Sequence, residues 1–335
     1  MVVRISDFSI RIIILMQLIC YILCIGLLFV SCKKENQTSL DYAEIKSGTN
    51  HSLRCIYKFN NDTLFAGGGN DTRGIILISK NAGTHWELYS QSLISRVNSV
   101  FFRNAMQGFA ACNNFLLMQT NDGGLHWDSI QQYHVPYQYQ TNLYAIKFVN
   151  DSVGYFCGGE EYSHGIIGKT VNRGQSWYFT FVDHELRTID FKDNQHGYCG
   201  GYGAMYYTND GGENWQLTAS NNEFITSINL TSVNGVACGY EGGILKNNNT
   251  IDWEKILNSN SAFSTRSHFN TVCTNDNNNY FIFGNEGKCA LSNDAGNTWK
   301  QATTFDNKTI YDAVMLAPTS GIAVGEEGKI FRFTK

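Results

Sequence analysis

Residues Thr208–Trp215 read TNDGGENW, and the same frame ends on every one of the six tryptophans in the chain. It recurs as SKNAGTHW (79–86), TNDGGLHW (120–127), TVNRGQSW (170–177), KNNNTIDW (246–253) and SNDAGNTW (292–299). Asp or Asn stands five residues before each Trp: Asn81 to Trp86, Asp122 to Trp127, Asn172 to Trp177, Asp210 to Trp215, Asn248 to Trp253 and Asp294 to Trp299. Five of the six copies open on a hydroxyl and five carry Gly three before the Trp. This is the chemistry of a β-hairpin turn. An Asp or Asn side chain accepts from backbone N–H groups a few residues on, Gly supplies a positive φ, and the Trp ring folds beneath the bend. The fifth copy has Thr250 in place of Gly and predicts a looser turn.

Upstream of each turn the pattern also repeats. An apolar segment (Leu143, Ile146, Phe148; Leu186, Ile189, Phe191; Ile225, Ile228, Leu230) precedes a polar turn, a G-Y/F/V-x-x-G strand and an alternating strand such as GAMYYT. Each unit therefore holds four strands, the last beginning at the Trp. Units start near Leu53, Val97, Leu143, Leu186, Ile225, Phe269 and Ile310, a period of about 40 residues. The seventh stops at Lys335 after its third strand, which would leave an open edge. Residues 40–46 (LDYAEIK) have the position and length to pair with 329–334. The expected fold is all-β: a seven-bladed β-propeller over 40–335, with four-stranded antiparallel blades, closed by an N-terminal strand that completes the last blade.

Composition agrees with a folded, turn-rich protein. Of 335 residues 43% are hydrophobic and 16% charged, with 32 Gly and only 2 Pro, and a net charge of -4 argues against a general nucleic-acid binder. Ten Cys do not form a disulfide framework, because Cys20, Cys24 and Cys32 fall in or at the end of an N-terminal leader and the other seven are scattered. Cys112, Cys157, Cys199 and Cys238 share one repeat position and read as small buried side chains between blades, too far apart to bridge. The leader, residues 1–31, has Arg4 and Arg11 ahead of an apolar run from Ile12 to Val30, which reads as an export signal. A retained signal anchor is the alternative, since about 18 apolar residues can span a bilayer. The ending Leu28-Phe29-Val30-Ser31-Cys32 resembles the lipobox of bacterial lipoproteins, with Phe29 departing from the usual aliphatic residue. That resemblance implies lipidation at Cys32, a tether over 32–39, and a body lipid-anchored to a bacterial membrane in the cell envelope, outside the cytoplasm.

The turn motif resembles the Asp-box, or BNR repeat, of sialidase-like and related propellers. The whole repeat, GyaxGxxGxixxTxDGGxxW, is similar to the photosystem II assembly and stability factor family and covers nearly all of 46–335. The resemblance implies a non-catalytic scaffold that binds or assembles a protein through one propeller face. Photosynthetic members concentrate Arg on that face, whereas Arg54, Arg73, Arg96, Arg103, Arg173, Arg187, Arg266 and Arg332 read here as dispersed over the repeats.

The box carboxylates are spent on their turns, so binding residues are sought on the opposite face, where blade-joining loops and second-to-third-strand turns gather. Two loops bordering the third blade, 131–142 and 158–165, carry Tyr133, His134, Tyr137, Tyr139, Glu160, Glu161, Tyr162 and His164. Aromatic faces with carboxylates and imidazoles suit a glycan or an extended peptide; the plainer alternative is a pair of solvated loops. Glu241, Glu286 and Glu327 repeat at one turn position and predict an acidic arc near the channel mouth. No CxxC or close Cys/His pair suggests a metal, and no cofactor is expected. The competing function is a glycoside hydrolase, sialidase-like or glucan-active, or a glycan-binding protein. It would draw a carboxylate pair from Glu160, Glu161, Asp183 and Glu185.

Overall fold

The computed structural model describes residues 40–130, 135–218, 223–256, 268–301 and 305–335. These form seven antiparallel sheets of four strands each, so the ring has seven blades as the repeat count predicts. Blade 3 is representative: Asn142–Phe148, Gly154–Glu160, His164–Thr170 and Tyr178–Val182 pair in chain order from the channel outward. Blade 7 takes Ile310–Ala317, Ser320–Gly325 and Ile330–Thr334 from the C-terminus and its outermost strand, Asp41–Ile45, from the other end of the chain. Asp41 pairs with Thr334 and Ile45 with Ile330. This closure is the one expected from the missing seventh turn motif, and it removes the open edge.

The core is divided among the blade interfaces, one apolar cluster to each. Every Trp of the turn motif faces the interface with the preceding blade: Trp177, for example, packs with Phe109, Phe148 and Phe156 between blades 2 and 3. Blade 7 has no Trp. Its interface with blade 6 is filled by Phe281, Phe283, Phe305, Phe331 and Phe333, with Leu40 and Tyr42 from the N-terminal segment closing it. Tyr42 lies 4.8 Å from Phe305, centroid to centroid.

The turns are held as their residue types require. In the fourth box Thr208 Oγ1 accepts from the Gly212 N–H at 2.8 Å and donates to Asp210 Oδ1, which accepts from the Asn214 N–H at 3.0 Å. Gly212 has φ of 77°. These N–H donors hold Asp210 low, at a pKa of about 2, and His126 holds Asp122 lower still. Trp86, Trp127 and Trp299 return Nε1–H bonds to the box Gly carbonyls at 3.0–3.1 Å. The fifth box departs from the sequence reading. Its third strand ends at Asn247, six rather than seven residues before Trp253, and Asn247, not Asn248, holds the turn. Asn247 Nδ2 donates to the Thr250 and Asp252 carbonyls, and Oδ1 accepts from the Asn249 N–H.

The Gly that ends the second strand answers to a backbone approach. A Cβ on Gly239 would meet the Phe224 carbonyl oxygen at 1.7 Å, and one on Gly201 the Glu185 oxygen at 1.8 Å. Those carbonyls precede the inner strands and accept from the Tyr240 and Tyr202 N–H groups. The seven cysteines of the described ring are buried free thiols. Cys112, Cys157, Cys199 and Cys238 are among them, buried and unbridged as their shared repeat position predicts. Burial first, and then the neighbouring Cys157 thiol, push the Cys199 thiol well up.

Candidate functional site at the channel mouth

Each inner strand carries one β-bulge at the same place, between Leu53 and Cys55, Val97 and Ser99, Leu143 and Ala145, Leu186 and Thr188, Ile225 and Ser227, Phe269 and Thr271, and Ile310 and Asp312. A bulge leaves one residue unpaired and re-aims its side chain. All seven unpaired residues, and the seven that follow them, line a cavity of about 490 Å³ on the channel axis.

The seven bulge residues divide into two kinds. Asn98, Thr226 and Asn270 are spent on structure, each donating to a carbonyl at the start of the next blade's inner strand: Leu143 at 2.8 Å, Phe269 at 2.7 Å and Ile310 at 2.7 Å. The other four form two cation–π stacks across blade seams. The Arg54 guanidinium lies 3.8 Å from the Tyr311 ring centroid, and that of Arg187 lies 3.9 Å from Tyr144. Arg96, from the segment that joins blades 1 and 2, is a third arginine on the wall, 3.4 Å from Asp71. Burial, with the Arg96 charge beside it, lowers the Arg54 pKa although the Tyr311 ring offsets part of this. The Nε atoms of Arg54, Arg96 and Arg187 are all buried without a hydrogen-bond acceptor. Three guanidiniums thus border one cavity, with carboxylates paired to two of them, Asp71 to Arg96 and Glu185 to Arg187.

The following ring of residues is the inner lock of the propeller. Ser99, Thr188 and Ser227 each accept the backbone N–H of the next blade, from Ile146, Ile228 and Val272. Asp312 does the same at the closing seam, accepting from Ile56 N–H at 2.9 Å, Thr271 Oγ1 at 2.9 Å and its neighbour Ala313 N–H at 2.8 Å. Burial lifts its pKa to about 6 against these donors. It is the carboxylate among the described residues that line the cavity.

Beside the cavity runs a line of rings. Phe224 stacks on Tyr240 at 4.3 Å and 12°, Tyr202 meets Phe224 at 5.1 Å, Tyr162 meets Tyr202 at 4.2 Å, and His268 lies 4.5 Å from Tyr240. Of the residues singled out from sequence, Tyr162 joins this line. Tyr139 and His164 come together elsewhere, at 5.6 Å, with Tyr139 leaning on Phe181 on the outer part of blade 3. Tyr137 is 88% exposed, Glu160 and Glu161 face solvent, and Tyr133 and His134 lie outside the described residues.

The sequence reading of the charges is corrected at the arginines: three read as dispersed converge on the cavity, because one repeat period of chain is one step around the ring. The turns that carry the glutamates reach the lining through Tyr240 and Asn285, next to Glu241 and Glu286. Glu241, Glu286 and Glu327 occupy left-handed positions with φ of 53–55°, and two of them meet lysines, Glu286 with Lys288 at 3.1 Å and Glu327 with Lys308 at 2.7 Å. Glu185, a hydrolase candidate, is 3% exposed, pairs with Arg187 and accepts from the Tyr162 N–H at 3.2 Å. Arg54, Arg96, Tyr144, Arg187 and Tyr311 were missed; aligning the residue after the first apolar position of each repeat would have found four of them.

No family model matches the chain. A curated relative, the photosystem II assembly lipoprotein Ycf48 of Synechococcus sp. (strain CC9902), is 28% identical over 126 residues, 36% of each chain. The match thus spans about a third of that relative's length. Solved structures include YCF48 bound to D1 peptide, with TM-score 0.71 and 17% identity over 91% of this chain and all of the other. They also include YCF48 from Cyanidioschyzon merolae, with 0.67 and 15% over 88% of this chain and 98% of the other. The RRP9 WD40 repeats superpose almost as well, 0.69 at 9% identity over 88% of this chain and 97% of theirs, which is a likeness of fold alone. The chain is a seven-bladed β-propeller that resembles Ycf48 in sequence over about a third of its length and in fold over nearly all of it.

Proposed function

We propose that this protein is a non-catalytic, lipid-anchored scaffold that holds an acidic peptide segment of a partner protein at the channel mouth. The observation that carries the reading is the convergence of Arg54, Arg96 and Arg187 on one cavity. A carboxylate supplies the planar acceptor pair that a guanidinium takes. A neighbour of the same fold, YCF48, has been solved bound to a D1 peptide, and the relative from Synechococcus is a lipoprotein.

The test is titration of the detergent-solubilised full chain with a fluorescein-labelled Asp/Glu-rich decapeptide and its Lys-substituted counterpart. The acidic peptide alone should bind, and Arg54→Gln with Arg187→Gln should weaken it at least tenfold. Equal binding of both peptides, or an unaffected double variant, would overturn the proposal. For the anchor, Cys32→Ala should move the protein from the membrane to the soluble fraction; retention on the membrane would instead support an uncleaved leader.

A further inference from the structure

The line of rings beside the cavity has the wrong chemistry for the anion and the right position to serve the same ligand. Tyr162, Tyr202 and Tyr240 are 60%, 42% and 40% exposed, large areas of aromatic surface for side chains that touch one another. The line runs from blade 3 to blade 6 in four steps of 4.2–5.1 Å, a contour that about five residues of extended chain cover at ~3.3 Å each. It is continuous with the cavity, since Phe224 and Tyr240 line both, and the Arg187 guanidinium lies 5.7 Å from the Phe224 ring. Glu185 ties the two parts together by holding Arg187 and the Tyr162 backbone at once.

We propose that this aromatic track is a second subsite that seats apolar side chains of the same peptide whose carboxylates enter the arginine-lined cavity. The inference rests on the acidic-peptide reading and deepens it: the partner segment is an acidic stretch adjoined by an apolar one. Charge complementarity fixes the first half of the occupant and continuity of surface the second. Successive rings are inclined at 44°, 83°, 12° and 61°, so edges and faces alternate along the track. A pyranose ring stacks on a flat exposed face; Leu, Phe and Pro side chains pack on edges and faces alike. The occupant is therefore a peptide rather than a glycan.

Two labelled peptides separate this inference from the reading beneath it: five acidic residues joined to five drawn from Leu, Phe and Pro, and the same acidic half joined to five Ser. With the detergent-solubilised full chain, the apolar-tailed peptide should bind at least tenfold more tightly. Tyr162→Ser with Tyr202→Ser should abolish that advantage while leaving the Ser-tailed peptide unchanged, and Tyr162→Phe with Tyr202→Phe should retain it. Arg54→Gln with Arg187→Gln should weaken both peptides. Equal affinity for the two peptides, or a Ser variant that keeps the difference, overturns the track as a subsite while the acidic reading stands. Failure of either peptide to bind the unaltered chain overturns both, as does binding of neutral gluco-oligosaccharides in their place.

Discussion

At the scale of single residues, the same side-chain chemistry is used for structure in some blades and left free in others. Thr208 shows the structural use: its hydroxyl accepts the buried Gly212 N–H and orients Asp210. Thr208→Val keeps the shape and leaves that N–H unpaired, which should cost about 1–3 kcal/mol in urea denaturation. Asp312 shows a carboxylate kept against the pull of burial. Its pKa of about 6 in the fold lies above the ordinary carboxylate value, so the folded state holds the proton more tightly. Its favourable contribution is complete below the unfolded value near pH 4 and is lost as pH rises through 6. Thermal midpoints should therefore fall between pH 4 and 7, and Asp312→Asn should flatten that slope; an unchanged slope would assign it to other groups.

At the scale of elements, the strand Asp41–Ile45 supplies both an edge and a wall. Beyond its backbone pairing, Glu44 meets Lys329 at 2.7 Å, Tyr42 donates to Asp306 at 3.1 Å, and Leu40 is 2% exposed in the interface between blades 6 and 7. Deleting residues 40–46 should uncover the strand Ile330–Thr334 and the apolar side chains behind it. The expected result is a lower unfolding midpoint with dimers or aggregates on size-exclusion chromatography, since an exposed edge recruits another. A monomer of unchanged stability would show that blade 7 stands without its borrowed strand. The inner-strand bulges act at the same scale in the opposite sense. Each gives up one ladder pairing to turn one side chain toward the axis, and the ring acquires a lining without any loop having to enter it.

At the scale of the whole molecule, the fold was legible in the sequence because it is written many times over. Six copies of one turn, each with a hydroxyl, an Asx, a Gly or a Trp in the place that a tight bend demands, fix the strand count, and the seventh unit's missing edge names its own partner near residue 40. These are local demands, repeated at one period, and local chemistry is what a linear reading sees best. The fifth box escaped by a single residue because the Trp frame was kept while the turn had shortened. The binding face is another matter. Arg54, Arg96 and Arg187 stand 42 and 91 residues apart along the chain and meet only because the ring closes. Tyr137 and Glu160, chosen for the composition of their loops, prove to face solvent, since composition does not say which way a side chain points. What the sequence determined by itself was the repeated unit and the number of times it recurs. What only the tertiary structure decided was the meeting of non-repeated side chains at the axis, because curvature of the ring, unlike a turn, is the sum of all seven interfaces and belongs to no one of them.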